Sequence, residues 1–204
     1  MSAVVLVLVR HGATDWNEQG RLLGRAEIGL NVRGRAQATA LASSLVGRRF
    51  DAVLSSPQRR ARETAAPIAA AHGVEVVSTP ELAEVWVGHW QGKTYAELAE
   101  HPDAVRYAAD GTHECAAIED AASVQRRIVA LLERLRGGGS GSHLCLVSHG
   151  DPLRLLLTHC LGAELGAFRR LRISLGSISR VRLETQGASV LGVNWRPPTE
   201  PSPG

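Results

Sequence analysis

Cysteine is scarce in this chain: three among 204 residues, Cys115, Cys145 and Cys160, an odd number at wide spacing. That excludes a disulfide framework and a paired-cysteine metal knuckle. Cys145 and Cys160 lie in apolar runs and read as small core residues. Aromatic residues make up only 4%, so a nucleic-acid surface, which interleaves cations with stacking rings, is not expected. No apolar run approaches the ~20 residues that span a bilayer, so no membrane partner is expected either. The N-terminal apolar run has no basic start and leads straight into Arg10-His11-Gly12. It reads as a strand of the folded protein rather than a secretion leader, which points to a cytoplasmic location. Lysine is nearly absent as well. Lys93 is the only one, the other basic residues are arginine, and the net charge is +3. Arginine is the side chain that grips phosphate or carboxylate with two parallel hydrogen bonds, which fits an anionic small-molecule substrate.

What is present is ordinary globular material. Hydrophobic residues are 44% and charged residues 21%, close to the average for a soluble domain. A chain of this length buries enough surface to fold without a metal or disulfide staple. One domain over residues 1–195 is expected. The tail over 196–204, with Pro197, Pro198, Pro201 and Pro203, is expected to be disordered. Nothing in the sequence separates a monomer from a homodimer.

The continuous β-branched and leucine run over 4–9 predicts a strand buried on both faces of a parallel sheet. Shorter runs at 52–54, 74–77 and 144–147 predict three more strands. Between them, apolar residues recur at helical spacing over 33–48, 58–72, 121–136 and 152–161. Strands alternating with helices predict an α/β fold, a three-layer α/β/α sandwich around a mostly parallel central sheet. Segments 178–184 and 188–195 flank Gln186-Gly187 and predict a hairpin that adds antiparallel edge strands. Gly137 to Ser142 reads as a flexible connection within the domain. Residues 78–120 are weakly periodic and hold Trp86, Trp90, Tyr95 and Tyr107. Ligands of open α/β sheets sit beyond the carboxyl ends of the strands, so an insertion leaving the third strand there reads as a lid.

Two strands end alike. The first runs into Arg10-His11-Gly12 and the fourth into Ser148-His149-Gly150. In a parallel sheet both ends lie on the same edge, so the histidines are expected to converge, and each following glycine lets a ligand approach the backbone closely. His113-Glu114-Cys115 is not expected to hold a metal, since three adjacent side chains cannot all face one ion. Asp151 is expected to cap the helix that follows it. His72, His101 and His159 read as surface residues. Trp16, Trp86, Trp90 and Tyr95 read as packing residues, with one of them at the pocket mouth.

The segment Arg10-His11-Gly12-Ala13-Thr14-Asp15-Trp16-Asn17 resembles the signature of the histidine phosphatase superfamily, the phosphoglycerate-mutase-like family. Residues 30–38 resemble the segment that opens that family's first helix. Residues 55–65 (Ser-Ser-Pro-Gln-Arg-Arg-Ala-Arg-Glu-Thr-Ala) resemble its second-arginine motif, 82–92 its acidic-residue motif, and 148–150 its second-histidine motif. The motifs occur in family order over residues 4 to 184.

The resemblance implies that His11 is the nucleophile and carries a phosphohistidine. It implies that Arg10, Arg60 and His149 bind the transferring oxygens, that Asn17 and Gly150 line the substrate, and that Glu84 protonates the leaving group. Imidazole has a free lone pair at neutral pH, and fixed cations stabilise the charge spread over the equatorial oxygens. Arg60 rather than Arg59 matches the family arginine, because it immediately precedes an alanine. A proton donor at Glu84 needs a raised pKa. No metal and no cofactor are expected. Three functions stand open on the sequence: a phosphomonoesterase acting on a small phosphorylated metabolite, a cofactor-dependent mutase, and a non-catalytic phosphate-binding protein. The filled catalytic positions and Gly12-Ala13-Thr14, where mutases of the family carry Gly-Glu-Ser, favour the first.

Overall fold

A computed structural model describes residues 3–113, 118–138 and 141–198. Six strands form one sheet in the order β3-β2-β4-β1-β5-β6. They are β1 (Val4–Arg10), β2 (Ala52–Ser55), β3 (Val76–Ser78), β4 (His143–Ser148), β5 (Ile178–Leu183) and β6 (Ala188–Trp195). β1 lies at the centre, parallel to β4 and antiparallel to β5. β2 runs parallel to both β3 and β4, and β6 closes the edge antiparallel to β5. The helices are α1 (Asp15–Glu18), α2 (Val32–Leu45), α3 (Arg59–His72), α4 (Tyr95–Leu98), α5 (Pro102–Asp110), α6 (Ala121–Gly137) and α7 (Gly150–Cys160).

The period of two along β1 explains the layers. Leu6 and Leu8 join α6 residues Val124, Ile128, Leu131 and Leu132 and α7 residues Leu153, Leu156 and Leu157 in one core. Val7 and Val9 join Leu41 and Leu45 of α2 and Ala61, Ala65 and Ile68 of α3 in the other. Each such Leu or Ile side chain stabilises the fold by roughly 1.5–3 kcal/mol when fully buried. The mostly parallel sheet with helices on both faces and an antiparallel edge is therefore the predicted α/β arrangement.

Local chemistry sets the helix ends. Asn31 caps α2 by accepting from Gly34 N, and Asp120 caps α6 by accepting from Ser123 N. Gly73 ends α3 at φ +65°, a left-handed conformation that costs glycine little.

Four expectations change. Asp151 lies inside the first turn of α7, whose cap position is His149, and its carboxylate turns to other partners. His72 is half-buried and bridges two helices, with ring nitrogens 2.7 Å from Ile68 O and 3.1 Å from Leu45 O. His101 is half-buried and packs on the Trp90 ring at 5.5 Å, whereas His159 is exposed as expected. Of the segment 196–204 expected to be disordered, residues 196–198 are placed and Pro197 is buried, while 199–204 lie outside the described residues. Glu114 and Cys115 also lie outside them. Among the described residues no helix is long and apolar enough to cross a membrane.

Candidate active site

β1 and β4 pair in parallel with Arg10 beside Ser148. The residue after each is therefore a histidine on the same sheet edge, and the His11 and His149 rings sit 5.0 Å apart. Both are buried, at 1% and 0% exposure. His11 Nδ1 lies 2.7 Å from Gly12 O. A carbonyl only accepts, so Nδ1 carries the proton and Nε2 keeps the lone pair. Burial first, then the positive charges of Arg60 and Arg10, holds His11 well below the ordinary imidazole range. It is neutral, with a lone pair on Nε2.

The loop bearing His11 is clasped on every side. Gly12 N donates to Thr64 Oγ1 at 3.1 Å and Ala13 N to Gln37 Oε1 at 2.8 Å. Asn31 N donates to Ala13 O and Gly176 N to His11 O, at 3.0 and 3.1 Å. Gly12 and Gly34 meet back to back. A Cβ on Gly12 would lie 2.5 Å from Gly34 O, and one on Gly34 would lie 2.0 Å from Ala13 O. The first turn of α2 thus presses directly on the loop that carries His11.

Arg60, on the first turn of α3, is fully buried. Its Nε donates toward His11 Nε2 at 3.3 Å, and its two terminal nitrogens donate to Ala26 O and Gly24 O at 3.0 and 2.8 Å. Burial lowers its pKa to about 10, so it stays a cation at neutral pH. Arg59, one residue earlier, is exposed and pairs with Glu63 at 2.6 Å. Arg10 donates through Nη1 to Ile173 O at 2.5 Å, while its buried Nε has no partner among the described residues and can serve an anion.

Glu84 lines the same cavity as Arg10 and His11. Burial, reinforced by the negative charge of Asp151, raises its pKa above the usual carboxylate range. Its Oε1 accepts from Val85 N at 2.9 Å. Its backbone carbonyl accepts from Arg25 at 3.0 Å and from Arg127 at 3.3 Å, and both arginines are held by Glu119. The amide oxygen of Asn17 is taken by Thr14 N and Oγ1 in a capping box, so only its amide nitrogen remains to serve a ligand in the cavity it lines. Gly150 also lines the cavity. Within the protein an added Cβ would lie 3.5 Å from the Arg10 guanidinium carbon, an ordinary contact.

The cavity holds about 590 Å³. Beyond His11 and Arg10 much of its wall is aliphatic, with Leu22, Leu23, Val85, Val87 and Leu98, and the exposed Tyr95 also lines it. One polar cluster stands among them. Asp151 accepts from Arg154 Nη1 at 2.8 Å and from the Tyr107 hydroxyl at 3.0 Å. Arg169 stacks 4.6 Å over the Tyr107 ring. Sequence reasoning missed Thr64, Gln37, Gly34, Ser56, Gln58, Glu119 and this cluster. Thr64, Ser56 and Gln58 lie inside the second-arginine motif and Gly34 and Gln37 inside the segment over 30–38, whereas Glu119 and the cluster carry no motif signal. Among the described residues no group of three or more His, Cys, Asp or Glu side chains is placed to hold a metal ion.

Comparison with known proteins agrees with this geometry. A family model described as the histidine phosphatase superfamily (branch 1) matches residues 6–196. The chain is 37% identical over 187 residues to a bifunctional protein of Mycobacterium tuberculosis, covering 90% of this chain and 51% of that protein. It thus spans about half the length of this mycobacterial relative. It is 32% identical over 194 residues to phosphoserine phosphatase 1 of Hydrogenobacter thermophilus, covering 94% of this chain and 92% of that one. The solved structure of a mycobacterial glucosyl-3-phosphoglycerate phosphatase superposes with a TM-score of 0.84 at 27% identity, covering 93% of this chain and 98% of that one.

Proposed function

The chain belongs to the histidine phosphatase superfamily, and from that premise we propose that it is a phosphomonoesterase acting on a small phosphorylated metabolite through a phosphohistidine on His11. One observation carries the reading. His11 Nδ1–H is held by Gly12 O, which leaves the Nε2 lone pair among Arg10, Arg60 and His149. In the first step Nε2 attacks phosphorus and the P–O bond to the alcohol breaks. The departing oxygen takes a proton from Glu84, whose burial raises its pKa and so favours the protonated form that a donor needs. In the second step water attacks phospho-His11 and gives its proton to the Glu84 carboxylate. The P–N bond breaks and phosphate leaves. Arg10 and Arg60 stabilise the charge on the equatorial oxygens in both steps. We read the described strands and helices as one catalytic domain.

A mutase must also hold the dephosphorylated sugar acid for return of the group. Much of the cavity wall is aliphatic, and the Asp151 carboxylate of the polar cluster is already paired on both oxygens, which supports a site that releases the alcohol rather than one that keeps it for return of the group. Water is therefore the acceptor we favour. Quenching with labelled substrate should trap phosphate on an acid-labile, base-stable bond, and His11→Ala should abolish both the trapped label and turnover. Near-full activity in His11→Ala would remove the assignment.

A further inference from the structure

The second-arginine motif contains two polar side chains that the proposed chemistry does not use, Ser56 and Gln58. Both are buried, at 0% and 4% exposure. They join His149 to Glu84 in one chain of hydrogen bonds. His149 Nε2 lies 2.6 Å from Ser56 Oγ, Ser56 Oγ lies 2.6 Å from Gln58 Oε1, and Gln58 Oε1 lies 3.1 Å from Glu84 N.

The direction of every bond in this chain follows from one backbone amide. Glu84 N–H can only donate, so the Gln58 atom facing it is the carbonyl oxygen. That oxygen also faces Ser56, so the single hydroxyl proton of Ser56 points to Gln58. Ser56 Oγ has no second proton to give and must accept from His149. Its remaining lone pair faces Gln58 N at 3.4 Å. His149 therefore carries its proton on Nε2. The other ring nitrogen, Nδ1, is buried and has no partner among the described residues. It bears a lone pair beside His11, where the sequence places a phosphoryl oxygen.

A bare lone pair repels a dianionic phosphoryl group. The charged groups around His149 do not relieve this. Burial first, then Arg60, Arg10 and Arg127, disfavours a positive charge on the ring in the empty site, His11 is neutral, and burial shifts Glu84 toward its uncharged form. An arriving dianion reverses that balance. We propose that Ser56 and Gln58 are positioning residues that hold His149 as the Nε2–H tautomer, so that each phosphoryl group entering the site brings one proton to Nδ1. The proton comes from solvent, or arrives on the ligand as its own P–OH, and returns to solvent when phosphate leaves. Relative to free protein plus dianion, the count is one proton taken up in either case. This deepens the phosphomonoesterase reading and rests on it for the identity of the ligand, but the tautomer belongs to the empty site.

The test has two arms on the full chain. Nitrogen-detected NMR of histidine-labelled protein without ligand should show His149 protonated on Nε2. Ser56→Ala should shift it toward Nδ1–H, and Ser56→Thr, which keeps the hydroxyl, should restore Nε2–H. Calorimetric titration with inorganic phosphate at pH 8, in buffers of different ionisation heat, should give about one proton taken up per phosphate in wild type and Ser56→Thr. Ser56→Ala should take up less than half as much, because a ready Nδ1–H then serves the dianion. His149 found as Nδ1–H in the empty wild-type protein overturns the proposal, whatever the variants do. So does proton uptake unchanged in Ser56→Ala. Absence of any phosphate binding would count against the phosphomonoesterase reading and against the uptake, while the NMR arm still decides the tautomer separately.

Discussion

Arg59 and Arg60 are adjacent in sequence and opposite in environment. Arg60 is buried, anchored to two backbone carbonyls and directed at His11. Arg59 is exposed and paired with Glu63. Arg60→Ala should lower kcat/KM by about 10²–10³, the usual loss when a fixed donor to the transition state is removed. Arg59→Ala removes an exposed pair worth less than about 1 kcal/mol and should leave steady-state kinetics within about twofold. Equal losses would mean the wrong arginine has been assigned. Glu84 can be probed through the leaving group. An alkyl alkoxide needs a proton in the transition state and a nitrophenolate scarcely does. Glu84→Gln should therefore slow an alkyl phosphate at least tenfold more than nitrophenyl phosphate, within the ~10²–10⁴ that general acid help contributes. Burst kinetics must first show that phosphorylation limits the rate, and equal slowing of both substrates would leave the proton donor unassigned. Because burial raises the Glu84 pKa, the wild-type alkyl activity should persist to higher pH than an ordinary carboxylic acid would allow, and Glu84→Gln should flatten that limb.

At the scale of elements, the contact between the first turn of α2 and the loop after β1 decides how firmly the nucleophile is held. Gly34→Ala would place a methyl group 2.0 Å from Ala13 O. Backbone cannot step aside as a side chain tip can, so either α2 or the nucleophile loop must move. The expected loss is about 1–3 kcal/mol in denaturant-induced unfolding, accompanied by a fall in kcat as the Ala13 N–Gln37 hydrogen bond stretches. Gly150→Ala is the control. Its added methyl meets only the Arg10 guanidinium at 3.5 Å or more, and its stability should stay within about 0.5 kcal/mol of wild type. Similar losses in both would show that the α2 contact is not the constraint.

For the whole molecule, burying two neutral histidines makes stability depend on pH. His11 and His149 are both held well below the ordinary value near 6.5, chiefly by burial. Below that value the unfolded chain binds protons on both while the folded state does not. Stability therefore falls as pH falls, by up to two protons' worth, or ~2.7 kcal/mol per pH unit. Glu84 acts in the opposite sense, since the folded state binds its proton at higher pH than the unfolded chain does, and it offsets at most one of the two. Without phosphate, the urea midpoint should drop steadily from pH 6.5 toward 5. His149→Asn should make that slope shallower by about one proton. A flat profile in wild type would mean that the histidines are charged in the folded state.

Composition and periodicity by themselves determined a large part of this protein. Continuous apolar runs located the strands and apolar spacing of period 3.6 located the long helices, because both patterns are local properties of the chain. Histidine-glycine at two strand ends marked the catalytic edge, because parallel strands must deliver their carboxyl ends to one side. The arginine, acidic and histidine motifs then supplied His11, Arg10, Arg60, Glu84 and His149 by resemblance. Other features needed the tertiary structure. Asp151 reads as a helix cap until Tyr107, from the insertion, and Arg154 are seen to take its two oxygens. Gly34 is an unremarkable helix residue until α2 is laid against the loop after β1. Ser56, Gln58 and Glu84 become one hydrogen-bonded chain to His149 only because β2 lies next to β4 in the sheet. Strand order is set by crossover connections and by the packing of whole faces. Neither leaves a mark on local periodicity, so groups that meet across tens of residues are decided by the fold and not by the spacing of the residues themselves.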